Sequence, residues 1–281
     1  VIKEDSLKQS SVAVKDRAIQ PLIEINDLSF SYVEGDPVLA GVDVTIEPGT
    51  IVGVVGPSGC GKSTLLSILA GLVEPTRGSV VWAPEDDATR HPISMMFQGD
   101  TLLPWLTVKQ NVGLHYKLAD RRVRPPVTAQ RERVETLIRL AGLNGAEDRF
   151  PYQLSGGMRR RTSFLSAVTP GPRTLLLDEP FSALDEPTRI SIHQDVHDVI
   201  KQERITTLLI THDLAEAISL SDKVLVMTAR PASVFKTFDI PFGEKRKMLE
   251  LREDAEFLRL YGEIWEQLAT QIQRAEEKKK K

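Results

Sequence analysis

Residues 51–64 read Ile-Val-Gly-Val-Val-Gly-Pro-Ser-Gly-Cys-Gly-Lys-Ser-Thr, and this stretch decides the fold. Ile51 to Val55 is a continuous apolar run suited to a strand buried on both faces. Gly56 to Thr64 then fits the pattern G-x-x-x-x-G-K-[ST], and the apolar spacing from Ser63 to Leu72 predicts a helix. In a strand–loop–helix of this kind, successive backbone N–H groups point inward and the helix N-terminus adds positive partial charge, which makes a phosphate site. Gly56, Pro57, Ser58, Gly59, Cys60, Gly61, Lys62, Ser63 and Thr64 are therefore candidate nucleotide-binding residues. Lys62 is expected to contact the β- and γ-phosphates, and the Ser63 hydroxyl to ligate Mg2+. No chemical task is expected of the Cys60 side chain, which is read as a small residue within the loop.

Outward from this centre the pattern changes twice. Upstream, Leu22 to Tyr32 and Val42 to Ile46 alternate as antiparallel strands before the turn Glu47-Pro48-Gly49. Downstream, Val108 to Leu118, Val127 to Ala141 and Met158 to Ala167 read as helices, broken by Arg124-Pro125-Pro126 and Pro151. Strand–helix alternation then returns: strand Thr174–Leu177, helix Pro187–Lys201, strand Thr207–Ile210, helix Leu214–Ser219 and strand Lys223–Met227. The expected class is α/β: a P-loop NTPase core with an N-terminal antiparallel β subdomain and an inserted α-helical subdomain at about 105–167. Residues 1–20 are expected to form a flexible arm and 21–240 the main domain. Residues 241–281 are expected to form a helical tail, with apolar spacing at Leu249, Leu251, Phe257, Leu260, Ile264 and Leu268 and a solvated lysine end at 278–281. No internal repeat is found.

The chain's 36 basic and 39 acidic residues give a formal charge of -3, so no global field favours nucleic acid. Cys60 is the single cysteine, which excludes an intramolecular disulfide and suits a reducing compartment. The first 20 residues do not read as a secretory signal, and no apolar run reaches the length of a spanning helix. A cytosolic location follows as the expectation, with any membrane reached through another chain.

A second chemical element is Thr174-Leu-Leu-Leu-Asp178-Glu179, two carboxylates at the end of an apolar strand, where ligands meet parallel sheets. Asp178 is expected to hold Mg2+, and Glu179 to activate the attacking water. A third is Leu154-Ser155-Gly156-Gly157-Met158: a serine and two glycines at a helix start expose a hydroxyl, N–H groups and a helix dipole.

Taken together, the three elements resemble the ATP-binding-cassette ATPases over roughly residues 22–235. The resemblance implies that Leu154, Ser155, Gly156 and Gly157 close over ATP held by the phosphate loop of an opposite subunit, so that two ATP molecules are sandwiched in a dimer. It implies further that Tyr32 stacks on adenine and that Gln98 contacts Mg2+ and the attacking water. Ser182 to Asp185 would cross the dimer interface, with Asp185 at the nucleotide, and His212 would sense the γ-phosphate. Without the resemblance, Tyr32 reads equally as a strand core residue and His212 as a structural histidine. His193 and His197 have i, i+4 spacing that would suit a metal, but no third ligand is evident and a polar-faced helix is the expectation.

The chain departs from the family pattern after the signature, where Met158-Arg159-Arg160-Arg161 places Arg160 at an expected glutamine and Leu165-Ser166-Ala167 replaces an Ala-Arg-Ala run. Gly99 to Val112, with its Leu-Leu-Pro-Trp turn, resembles the importers of nitrate, sulfonates, taurine and related small solutes. That branch implies separate membrane-spanning permease subunits docking near Gln98 to Trp105, a second identical or paralogous ATPase subunit, and an extracytoplasmic solute-binding protein. Trp105 reads either as an interface residue or as one packed beneath the helical subdomain. The alternative function is a non-transport or regulatory cassette ATPase.

Overall fold

The computed structural model describes residues 20–84, 91–99, 101–120, 122, 124–182 and 184–279. The expected N-terminal arm, apart from Gln20, and the last two lysines lie outside them. Chain order begins with β1 (Ile23–Val33), β2 (Asp36–Ile46), β3 (Ile51–Val55), α1 (Lys62–Leu69), β4 (Arg77–Trp82) and β5 (His91–Met96). The helical stretch holds α2 (Val108–Val112), α3 (Leu114–Leu118), α4 (Val127–Leu140), a 3-10 turn at Pro151–Gln153 and α5 (Gly156–Val168). Alternation resumes with β6 (Pro172–Asp178), α6 (Glu186–Gln202), β7 (Thr206–Ile210), α7 (Leu214–Leu220), β8 (Lys223–Met227) and β9 (Val234–Asp239), then α8 (Met248–Leu251) and α9 (Ala255–Lys279).

Two sheets organise these elements. β2, β1 and β4 form an antiparallel sheet, with Ile23 opposite Ile46 on one side and Trp82 on the other. The larger sheet has the order β5-β6-β7-β3-β8-β9, parallel except for β9. Its strands divide their side chains with period two. Ile51, Val55, Leu175, Leu177, Leu209, Val224 and Val226 face a core shared with the helices, while Val52, Val54, Leu176, Leu208, Ile210 and Leu225 face a second core with α1 and the antiparallel sheet. A strand covered on both sides favours apolar residues at every position, which is why β3 and the Leu208–Ile210 part of β7 are continuous apolar runs.

Three strands missing from the sequence reading, β4, β5 and β9, are all edge strands. An edge strand is half exposed, so its apolar signal is weaker; β5 also carries Pro92, which an edge tolerates and a central strand does not. Another difference is the break at Gly113, which divides the expected helix Val108–Leu118 into α2 and α3. Asn111 explains the tight geometry before it. Its Nδ2 donates to the carbonyls of Leu103 (3.2 Å), Leu106 (2.9 Å) and Thr107 (3.1 Å), and its Oδ1 accepts from Leu103 N–H (2.8 Å). A buried amide with every group used pins the loop Leu103–Leu106 to α2.

The C-terminal helices join the helix-side core through Met248, Leu251, Phe257, Leu260 and Ile264; Leu249, expected on that face, is exposed. Ahead of them, the fully buried guanidinium of Arg246 donates to the carbonyls of Gly243 (2.8 Å), Ser219 (2.8 Å) and Ser221 (2.9 Å) and to Asp222 Oδ1 (3.2 Å). The Ser219 and Ser221 carbonyls end α7, so a cation there satisfies orphan acceptors and the helix dipole together. Arg246→Ala is expected to lower the unfolding free energy by about 3 kcal/mol. Lys247→Ala removes only an exposed pair with Glu250 and is expected to change it by less than about 0.5 kcal/mol. Urea denaturation of both variants checks the difference.

Candidate functional site

Four neighbouring parallel strands, β5, β6, β7 and β3, end on the same side of the sheet. Gln98 follows β5, Asp178 and Glu179 close β6, His212 follows β7, and the Gly56–Gly61 loop follows β3. The strand order therefore brings together residues that are over 150 positions apart in the chain.

Within the phosphate loop, Gly61 has φ 123°, and a Cβ there would lie 2.9 Å from the side chains of Val38 and Leu39. Only glycine fits both demands. The Cys60 side chain points into the antiparallel-sheet core and is 1% exposed; burial pushes its thiol up despite the opposing Lys62 charge. Lys62 lies inside the loop, its Nζ donating to the carbonyls of Gly56 (2.9 Å) and Pro57 (3.1 Å). An ammonium ion satisfied by backbone carbonyls can exchange them for phosphate oxygens. The Ser63 hydroxyl donates to Asp178 Oδ1 at 3.1 Å. Tyr32, 65% exposed and therefore not a core residue, sits edge-on to Phe30 with its hydroxyl 3.3 Å from Thr64 Oγ1.

Glu179 is the focus of the other loops. Its N–H donates to Ile210 O (2.9 Å), and φ at 44° puts it in the left-handed region, uncommon for a side chain of its size. One carboxylate oxygen accepts from Gln98 Nε2 at 2.9 Å, and the other lies 3.3 Å from His212 Nδ1. Beside it, burial pushes the Asp178 carboxyl above its usual range, opposed by the Ser63 hydrogen bond, reinforced by the Glu179 charge, and opposed again by Lys62. The paired carboxylate and hydroxyl offer hard oxygen donors, the kind that Mg2+ takes.

Ser155, Gly156 and Gly157 form a second group, at the start of α5. Ser155 caps the helix by accepting from Met158 N–H at 3.2 Å. Gly157 is required by contact: a Cβ would lie 2.7 Å from the Thr188 methyl of α6. Gly156 shares a cleft of about 160 Å3 with Gln98, Arg160, Pro180 and Ser182. The Leu154 side chain is buried in the core, so only its backbone is open to a ligand. Asp185 caps α6 through Thr188 N–H and hydroxyl, and those bonds hold its carboxyl below the usual range. Ala183, in the same loop, lies outside the described residues.

His193 and His197 are fully buried on α6, contrary to the polar-faced helix expected there. His193 lies beside the Phe181 ring and 3.7 Å from Glu216; burial lowers His197 to about 4, with Arg246 and Lys201 adding to the shift. Among the described residues, no group of three or more His, Cys, Asp or Glu side chains could hold a metal. One residue that the sequence reading passed over is Arg189, which donates to Leu184 O at 3.0 Å and pairs with Asp213, joining the Ser182–Asp185 loop to the one carrying His212. It sits in the first turn of α6, in a polar segment with nothing in its neighbours to mark it.

Comparison with known proteins places this geometry among relatives. The ABC transporter family matches residues 39–182. An uncharacterized ABC transporter ATP-binding protein, YtlC, of Bacillus subtilis is 38% identical over 242 residues, 85% of this chain and 91% of that protein. The aliphatic sulfonates import ATP-binding protein SsuB 1 of Pseudomonas aeruginosa is 39% identical over 262 residues, 90% and 98% of the two chains. The nitrate import ATP-binding protein NrtC of Synechococcus elongatus is 36% identical over 230 residues, 80% of this chain but only 34% of that longer protein. Among solved structures, the dimeric ATP-binding cassette MJ0796, in a post-hydrolysis state bound to ADP and Pi, superposes with a TM-score of 0.65 at 26% identity over 79% of this chain and 100% of that one.

Asp178 generates a testable consequence. An acid whose folded pKa is raised costs stability wherever it is ionised, and that cost disappears as pH falls through the folded pKa. Asp178→Asn, which keeps an acceptor for Ser63 but carries no charge, is expected to raise the melting temperature at pH 8 in chelator. The gain should shrink as pH is lowered towards the range where Asp178 itself takes up a proton. A melting temperature unchanged or lower at pH 8 would contradict the buried-charge account.

Proposed function

Because the chain belongs to the ABC transporter family, whose ATP-binding subunits hydrolyse ATP, we propose that it powers import of a small anion through separate membrane-spanning subunits. ATP is its substrate. The observation that carries the catalytic assignment is the Glu179 carboxylate held between Gln98 and His212 beside the Lys62–Ser63 loop. In this reading residues 21–240 form the ATPase unit and 241–281 its tail.

Lys62 and the N–H groups of Gly56 to Thr64 hold the phosphates, and Tyr32 stacks on the adenine. Ser63, Asp178 and Gln98 would hold Mg2+, which would supply positive charge against the nucleotide phosphates. Glu179 accepts the proton of the water that attacks the γ-phosphorus, with Gln98 and His212 fixing the carboxylate's orientation. Electrostatics supports the cation-holding role of Asp178, whose partial burial disfavours its charge unless a cation is near. Ser155, Gly156 and Gly157, with Asp185, serve the nucleotide of a second subunit, identical or paralogous.

The small-anion reading rests on relatives named for nitrate and aliphatic sulfonates; the solute itself would be read by permease subunits and an extracytoplasmic binding protein. Among the described residues no helix is long and apolar enough to cross a membrane, which accords with a peripheral place at the cytoplasmic face. The permease contact is assigned to the segment from Gln98 to Trp105. Trp105 is 68% exposed, so it does not pack beneath the helical subdomain, and Asn111 holds its loop in one shape. A fixed, exposed tryptophan is the kind of residue that anchors an interface.

Glu179→Gln tests the catalytic assignment. Shape and hydrogen bonding are kept but the base is lost, so hydrolysis is expected to fall by about 100-fold or more, while ATP binding persists and gel filtration with ATP and Mg2+ shows more dimer. Hydrolysis at the unmodified rate would reject the role of Glu179. For the docking assignment, Trp105→Ala is expected to leave the melting temperature and basal hydrolysis of the purified chain unchanged while abolishing solute uptake in membranes carrying the partner subunits. Full uptake by the folded variant would remove Trp105 from the interface.

A further inference from the structure

We propose that Arg160 is a positioning residue which ties the helix start carrying Ser155, Gly156 and Gly157 to Gln98 and Glu179 of the same chain, and so links the two nucleotide sites of a dimer. The inference rests on the ATPase reading above. Arg160 stands on α5, five residues beyond the Ser155 cap. Its Nη2 donates to Phe97 O at 2.9 Å and its Nη1 to Gly99 O at 3.2 Å, gripping the backbone on both sides of Gln98. Its Nε donates to Pro180 O, and Nη2 reaches Glu179 O at 3.5 Å. The Gln98 amide donates to the Glu179 carboxylate at 2.9 Å, which closes a ring running from Arg160 through the Phe97–Gly99 backbone, the Gln98 side chain, Glu179 and Pro180 back to Arg160.

The neighbouring arginines turn elsewhere. Arg159 donates to Leu154 O at 2.8 Å, and Arg161 pairs with Asp195 at 3.0 Å and bonds Ser191 Oγ at 2.8 Å. The bridge between the two loops therefore belongs to the position where the family pattern has glutamine. A glutamine offers two N–H donors and a lysine a compact point charge, whereas the planar guanidinium spreads five donors in a fixed fork. Carbonyls on two separate loops can be held by one such group at once.

This geometry has a directional consequence. In the dimer reading, Ser155 to Gly157 touch the nucleotide held by the opposite subunit, while Gln98 and Glu179 act on the nucleotide of their own. A shift of α5 on engaging the opposite nucleotide is carried by Arg160 into the backbone beside both groups. Displacements of about 1 Å at such groups can change rates by about 100-fold.

The test is a double-mutant cycle on steady-state hydrolysis by the purified chain, with ATP affinity and melting temperature measured for each variant. Arg160→Ala is expected to lower kcat by about 10- to 100-fold with the Kd for ATP unchanged. Arg160→Gln should retain more activity than Arg160→Ala, and Gln98→Ala/Arg160→Ala should be no slower than Gln98→Ala alone. If the two single losses multiply in the double variant, or kcat survives Arg160→Ala, the link is overturned. Should Arg160→Ala fail to fold, Arg160→Met, which keeps the apolar stem and loses every donor, takes its place in the cycle under the same criteria. Glu179→Gln run in parallel separates the two levels: persistent hydrolysis there rejects the site assignment itself, whereas its loss alongside multiplying effects rejects only the role of Arg160.

Discussion

Parallel pairing of β5, β6, β7 and β3 is the constraint on which the remaining structure depends. Parallel strands share a direction, so their carboxyl ends, and the loops that leave them, must lie along one edge. The strands need long crossovers, and the β5 to β6 crossover contains α2 to α5 and the Ser155–Gly157 helix start. One topological fact thus supplies both a row of chemical groups and the helical body that stands beside them. It also explains why β3 carries no polar side chain: helices and the antiparallel sheet cover it on both faces.

Much of this was legible in the sequence because the decisive signals are local. Ile51–Val55 followed by Gly56–Thr64 announces strand, loop and helix within 14 residues. The edge strands β4, β5 and β9 were not legible, since half-exposed pairing leaves no continuous apolar run and β5 begins with His91-Pro92. Within the site, residues that bond through motif-specific chemistry, such as Ser63 to Asp178, could be named in advance. Arg189 could not, because its function comes from contacts with Leu184 and Asp213 that only tertiary packing creates. Arg160 stood out in sequence only as a departure, and its four carbonyl partners lie between 19 and 63 positions away.

Charge is distributed unequally between the two ends of the sheet. At the carboxyl ends, Asp178 is buried at a cost, Glu179 occupies a left-handed backbone conformation, and Lys62 is satisfied by carbonyls that a phosphate can replace. In the function proposed above, a nucleotide and its cation would relieve the burial of Asp178 and take over the carbonyl contacts of Lys62. Stability and function therefore oppose each other at this edge.

The opposite end of β3 is built on the reverse principle. Asp222 Oδ2 accepts the Ile51 N–H at 2.7 Å and the Lys201 ammonium at 2.6 Å, while Oδ1 takes the Arg246 guanidinium at 3.2 Å. Here a carboxylate is fully matched by donors from β3, α6 and the segment leading to α8, so no demand is left for a ligand. The same strand consequently begins in a satisfied charge cluster and ends in a loop whose groups exchange partners. Between these two ends β3 is held by backbone ladders to β7 on one side and β8 on the other, so the contrast is carried by the groups at its ends and not by the strand itself.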